Sequence, residues 1–161
     1  MPMSTLSGMQ PERTWAERRA SVVSDPKRAV IDTNLLVRYL TEDNPSKANE
    51  VRRLLLKAAE REIRLLIPAI VIAELAWVLQ SYYKLEREEI VPLLNAILHT
   101  HGVEVSDKSV VSDAIAIYGG DTIDFIDAGI VAFAKAAEVR TIYTFDRKHF
   151  KGIDGIEMMH P

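Results

Sequence analysis

At 161 residues the chain is long enough for one domain with a substantial core, and 48% hydrophobic with 27% charged residues is ordinary for a globular protein. Cysteine is absent, which excludes disulfides, thiolate metal sites and a cysteine nucleophile and suits a reducing cytoplasm, the expected location. The net charge of −3 argues against nucleic-acid binding by bulk positive charge, but not against acidic residues that hold metal ions and so invert the local sign.

Residues 1–27 carry Pro2, Pro11 and Pro26 with no sustained periodicity and read as a flexible leader ahead of a domain over 28–161. Ala29-Val30-Ile31-Asp32 is a short apolar run ending on a carboxylate, and Thr33 and Asn34 after it suit the start of a helix through Leu40. Thr41 to Ser46 is a breaker cluster. Lys47 to Glu62 then has Ala48, Val51, Leu54, Leu55 and Ala58 at helical spacing, with Arg52, Arg53, Lys57 and Arg61 on a solvated face. Arg64 to Pro68 predicts a second strand, and Ala69 to about Tyr83 a helix apolar nearly all round and therefore buried on most sides, with Glu74 inside it. Leu85 to Thr100 predicts another helix, ended by Gly102, and Val103-Glu104-Val105 a third strand. Ser106 and Asp107 are placed to cap a helix to Tyr118, stopped by Gly119-Gly120. Asp121 to about Glu138 is a further helix, Arg140 to Asp146 a fourth strand, and Ile156 to Met159 a last edge strand. Strands alternating with helices predict a mostly parallel sheet with helices on both faces. No apolar run approaches the roughly 20 residues that span a bilayer, so no membrane partner is expected.

The acidic residues stand out by their surroundings. Asp32 and Asp146 each end an apolar strand, Glu74 interrupts an apolar helix, and Asp127 lies on the apolar side of its helix with Asp124 one turn before. Burying an unpaired carboxylate costs several kcal/mol, and the surrounding helices supply almost no arginine or lysine. Mutual approach across the carboxyl edge of the sheet, around shared divalent cations, accounts for them together. Oxygen donors without cysteine or paired histidine suit Mg²⁺ or Mn²⁺, ions that activate water and stabilise a leaving oxygen in phosphoryl transfer. For single residues a plainer role stands beside this one: Asp32 or Asp124 as a helix cap, Glu74 as a paired structural group.

The motifs Val30-Ile31-Asp32-Thr33-Asn34, Pro68-Ala69-Ile70-Val71-Ile72-Ala73-Glu74, Asp124-Phe125-Ile126-Asp127-Ala128 and Thr144-Phe145-Asp146-Arg147-Lys148-His149-Phe150, in this order, resemble those of PIN-domain ribonucleases, most closely the VapC-type toxins of toxin–antitoxin pairs. The resemblance implies an α/β fold, a PIN-like three-layer α/β/α sandwich around a mostly parallel sheet of four to five strands. It implies a Mg²⁺- or Mn²⁺-dependent endoribonuclease, a homodimer, and a small antitoxin partner. Asp32, Glu74 and Asp127 match the core acidic positions, Asp146 the more variable fourth, and Asp124 an acidic neighbour. Thr33, Asn34 and Thr144 match supporting polar positions. A PIN-fold protein that binds RNA or a partner with weak or no nuclease activity is the alternative. An aspartate-based phosphatase ranks low, because the position two residues after Asp32 is Asn34. Trp77, Tyr82 and Tyr83 read as core or dimer contacts rather than base-stacking residues, and His99, His101 and His149 as solvent-exposed or loop residues.

Overall fold

The computed structural model describes residues 26–145 and 150–161, so most of the leader and Asp146 with its neighbours Arg147 to His149 lie outside the described residues. Strands β1 (Lys27–Val30), β2 (Ile63–Ile67) and β3 (Val103–Val105) form a parallel sheet in that order, with Ala29 opposite Leu65 and Leu65 opposite Val103. Parallel neighbours require crossovers. Here α1 (Thr33–Thr41) and α2 (Pro45–Ala59) carry the chain from β1 to β2, and α3 (Ala69–Ser81) and α4 (Arg87–Leu98) from β2 to β3. Helices α5 (Lys108–Gly120) and α6 (Phe125–Ala136) follow, then β4 (Thr141–Tyr143) and β5 (Glu157–Met159).

The α/β class and the strand positions are as the sequence predicts. Among the described residues, however, the strands divide into the three-stranded sheet and a separate parallel β4–β5 pair. Flanking backbone bonds extend that pair: the Glu157 N–H donates to the Arg140 carbonyl at 2.7 Å and the Thr144 N–H to the Met159 carbonyl at 3.0 Å. Val30, at the outer edge of β1, is accordingly 66% exposed.

The core lies between the sheet and its helices. Leu65 and Ile67 of β2 meet Ile72, Leu75 and Leu79 of α3, Ile90, Leu94 and Leu98 of α4, and Ile115 and Tyr118 of α5, all buried. Each such aliphatic side chain contributes about 1.5–3 kcal/mol when fully buried. Gly102 has φ +78°, and a Cβ there would lie 2.1 Å from the Ala58 carbonyl oxygen, so its part is to let the chain entering β3 pass the end of α2.

Helix ends differ from the sequence reading in instructive ways. Asp32, not Thr33 or Asn34, is the N-cap of α1. Ser106 does not cap α5; its Oγ accepts from the Ala69 N–H at 2.8 Å and so serves the start of α3, where Pro68 has no side chain for that purpose. Asp107 precedes α5 in a left-handed conformation without a side-chain cap bond, and α5 runs on through Gly119 and Gly120. No described helix is long and apolar enough to cross a membrane.

Candidate functional site

The β1–β2 ladder reaches one residue past β1, where the Ile31 N–H donates to the Leu66 carbonyl at 3.1 Å. Buried Ile31 anchors the strand end, and Asp32 emerges exposed immediately after it. Asp32 holds extended backbone, and its Oδ1 accepts from the Leu35 N–H at 3.2 Å. The cap fixes the carboxylate at the carboxyl edge of the sheet while committing only one of its oxygens to the helix.

Thr33 is 6% exposed, a polar side chain buried at the start of α1. Its hydroxyl donates to a carboxylate oxygen of Glu74. A first-turn residue of α1 thereby ties down an acid one turn into α3. Glu74 lies within α3 as the sequence predicts, but on its exposed side rather than buried. The buried stripe of α3 is Val71, Ile72, Leu75, Ala76 and Leu79, and Ile70, Glu74 and Trp77 share the exposed one. The all-round apolar pattern thus overstated the burial, because α3 packs on the sheet side and leaves this stripe open.

Asp32, Thr33, Asn34 and Glu74 line a cleft of about 450 Å³, together with Arg38, Asp43, Tyr82 and Tyr83. Arg38 Nη1 and the Tyr83 hydroxyl, the latter at 2.6 Å, both donate to Asp43 Oδ2. Tyr83, then Arg38, hold the Asp43 carboxyl below its ordinary value of 3.8, and the same bond raises the Tyr83 hydroxyl above its ordinary 10.0. A larger hollow of about 690 Å³ lies between α1 and α2, bordered by Leu35, Lys47, Glu50, Val51 and Leu54. Asn34 and Arg38 line both spaces.

Two further acidic candidates stand at the start of α6. Asp124 is the N-cap of α6, with Oδ1 accepting from the Asp127 N–H at 2.8 Å, so its plainer role is realised. Asp127 is half-buried in the first turn of α6. Thr144 is half-buried after β4. Among the described residues no group of three or more histidine, aspartate or glutamate side chains is close enough to hold a metal ion. Asp32, Glu74 and the Thr33 hydroxyl offer oxygen donors to the same cleft, the donor type that hard cations prefer. Asp32, Glu74 and Asp124 are exposed, so the burial cost assigned to them does not arise. What the structure shows is that both carboxylates line one cleft and that Thr33, next to Asp32 in the chain, bonds Glu74.

Arg38, Asp43 and Tyr83 belong to the cleft without having been singled out as site residues. The Tyr83–Asp43 bond spans 40 positions in the chain, a separation that leaves no periodic signal. Trp77 and Tyr82 are not core residues, being 61% and 76% exposed. The histidine reading holds for His99 and His101, both exposed, while His149 lies outside the described residues.

Comparison with known proteins bears on this geometry. The chain is 26% identical over 132 residues to a VapC ribonuclease of Aquifex aeolicus (strain VF5), a match covering 82% of this chain and 96% of that protein. A toxin–antitoxin complex from Klebsiella pneumoniae is similar over 80% of this chain and 95% of the matched chain, at 19% identity and a TM-score of 0.30. The sequence pattern of the PIN domain family matches residues 29–156, from β1 to the residue before β5 and across the cleft residues of α1 and α3, and the chain belongs to that family.

Proposed function

We propose that this protein is a divalent-metal-dependent endoribonuclease and the toxin of a toxin–antitoxin pair, made up of a leader over 1–27 and a PIN domain over 28–161. The observation that carries the reading is the Thr33 hydroxyl bridging to Glu74 beside the capped carboxylate of Asp32, at the end of a parallel strand. Ligands of open α/β sheets collect at that edge. Sequence likeness to a protein named as a VapC ribonuclease supports the substrate class.

In this reading Asp32, Glu74, Asp127 and Asp146 hold Mg²⁺ or Mn²⁺, with Asp124 beside them and Thr33, Asn34 and Thr144 as polar support. When bound, the ion supplies charge stabilisation at the phosphate and a lowered pKa for water. The protein's own residues set the geometry. The α1 cap fixes Asp32, the Thr33 hydroxyl orients Glu74, and Arg38 is the cation of the same cleft. The hollow between α1 and α2 is the place for an antitoxin segment. A homodimer acting in the cytoplasm completes the proposal.

One observation favours a second reading, a PIN-fold RNA- or partner-binding protein with weak or no nuclease activity: among the described residues no group of three or more histidine, aspartate or glutamate side chains is gathered to hold a metal ion. A single experiment separates the two. The purified chain and Asp32→Asn are incubated with single-stranded RNA in Mg²⁺, Mn²⁺ or chelator. Cleavage that needs the ion and falls at least about 100-fold in the variant supports the nuclease, the scale of losing one strong transition-state contact. RNA binding without cleavage supports the second reading, and chelator-resistant cleavage sinks the metal site.

A further inference from the structure

Tyr82 is an aromatic side chain left open at the rim of the cleft. It follows the last turn of α3 as the C-cap residue, where its N–H donates to the Val78 carbonyl at 2.9 Å, so its backbone is fixed. Its ring meets that of Tyr83 edge to face, with centroids 5.0 Å apart and planes at 72°. Tyr83 in turn is tied to Asp43, and Asp43 to Arg38. Tyr82 therefore rests on a supported neighbour and still presents 76% of its surface to solvent. A ring so placed loses little freedom on stacking. Arg38 has five N–H donors in a fixed fork, of which Asp43 engages Nη1.

We infer that Tyr82 stacks on a base of single-stranded RNA while Arg38 contacts a backbone phosphate beside it. The inference rests on the ribonuclease reading and adds a substrate-holding element to it. A strand of RNA presents alternating π faces and phosphates, and the cleft offers one aromatic platform and one cation next to Asp32 and Glu74. Cations on those carboxylates remove the repulsion that would keep a phosphate away. Stacking of this kind tolerates any base, so it sets where the chain is gripped rather than which sequence is chosen.

The test measures fluorescence anisotropy of a labelled random-sequence 12-nucleotide RNA pool, and of an abasic ribose-phosphate chain of equal length, in Ca²⁺. Tyr82→Ala is expected to weaken pool binding by about 5- to 150-fold, the usual worth of one base–aromatic stack, and to leave abasic binding unchanged. Tyr82→Phe keeps the ring and binds the pool as wild type does. Arg38→Gln weakens both probes alike and lowers the salt slope by about one. Because Tyr82 is exposed, unchanged melting of its variants shows that the fold is intact. If the wild type binds the pool and Tyr82→Ala binds it equally well, stacking is refuted and Tyr82 is left as a protein contact. If the wild type binds neither probe, the ribonuclease reading falls and this inference falls with it.

Discussion

The Thr33 hydroxyl, buried at the start of α1, donates to the Glu74 carboxylate of α3, joining two helices that leave different strands of the sheet. Thr33→Val keeps the volume and removes the donor. It is expected to cost about 0.5–1.5 kcal/mol in urea unfolding, the net worth of one hydrogen bond, since Glu74 is exposed and water replaces the lost partner. Under the proposed function, RNA cleavage falls further than stability does, and Thr33→Ser restores both.

Asp32 serves the helix and the cleft with one side chain, and two substitutions separate these duties. Asparagine is as good an N-cap as aspartate, so Asp32→Asn is expected to melt within about a degree or two of wild type and, under the proposed function, to lose metal-dependent cleavage. Asp32→Ala loses both, at a cost of about 1 kcal/mol in stability. Thermal melts beside cleavage rates check the pair.

Arg87 braces the elements that lead to Asp124. Its guanidinium donates to the Tyr118 carbonyl at 2.5 Å and the Ile123 carbonyl at 2.9 Å, and stands 4.4 Å from the centre of the Tyr118 ring. Arg87→Ala is expected to destabilise the fold by about 2–4 kcal/mol, measured by denaturant midpoint, since charged donors are lost to carbonyls that lie partly buried.

The Tyr118 hydroxyl is buried with no hydrogen-bond partner among the described residues. Burial pushes its pKa above the ordinary 10.0, partly opposed by Arg87. The folded state thus holds this proton more tightly than the unfolded chain does. The contribution is complete below pH 10 and is lost as pH rises from there through the folded value. Tyr118→Phe is expected to flatten the alkaline fall in stability and to be neutral or about 1 kcal/mol stabilising at pH 7, because an unpartnered buried hydroxyl is removed. Urea titrations across pH 7–11 measure both.

Gly102→Ala brings a methyl group against the Ala58 carbonyl at a left-handed backbone position. Strain and overlap together are expected to cost at least about 3 kcal/mol, read as a lowered melting temperature or loss of soluble protein.

Local chemistry made much of this legible from the chain. Alternating apolar runs gave the strands and the α/β class. The strand-end position of Asp32 was visible because Ile31 and Leu36, buried on either side of it, bracket a polar turn. The partition of β4 and β5 away from the main sheet was not visible, since three-residue strands carry too little pattern to name their partner. Glu74 was read as buried because its helix is apolar on every face, and only packing shows which face stays open. Arg38, Asp43 and Tyr83 meet through a loop closure that no periodicity records. The four motifs spoke for the family where these physical signals ended.

Helix α1 is a partition wall with Asn34 and Arg38 opening on both sides. Whatever settles in the outer hollow and draws the guanidinium toward itself takes positive charge from the inner cleft. Such an occupant would weaken phosphate binding without touching Asp32 or Glu74. Linkage makes the effect mutual: a phosphate held by Arg38 weakens the outer occupant by the same factor. Under the proposed function, inhibition through this wall is relieved by substrate, and excess RNA loosens an inhibitor that never enters the cleft.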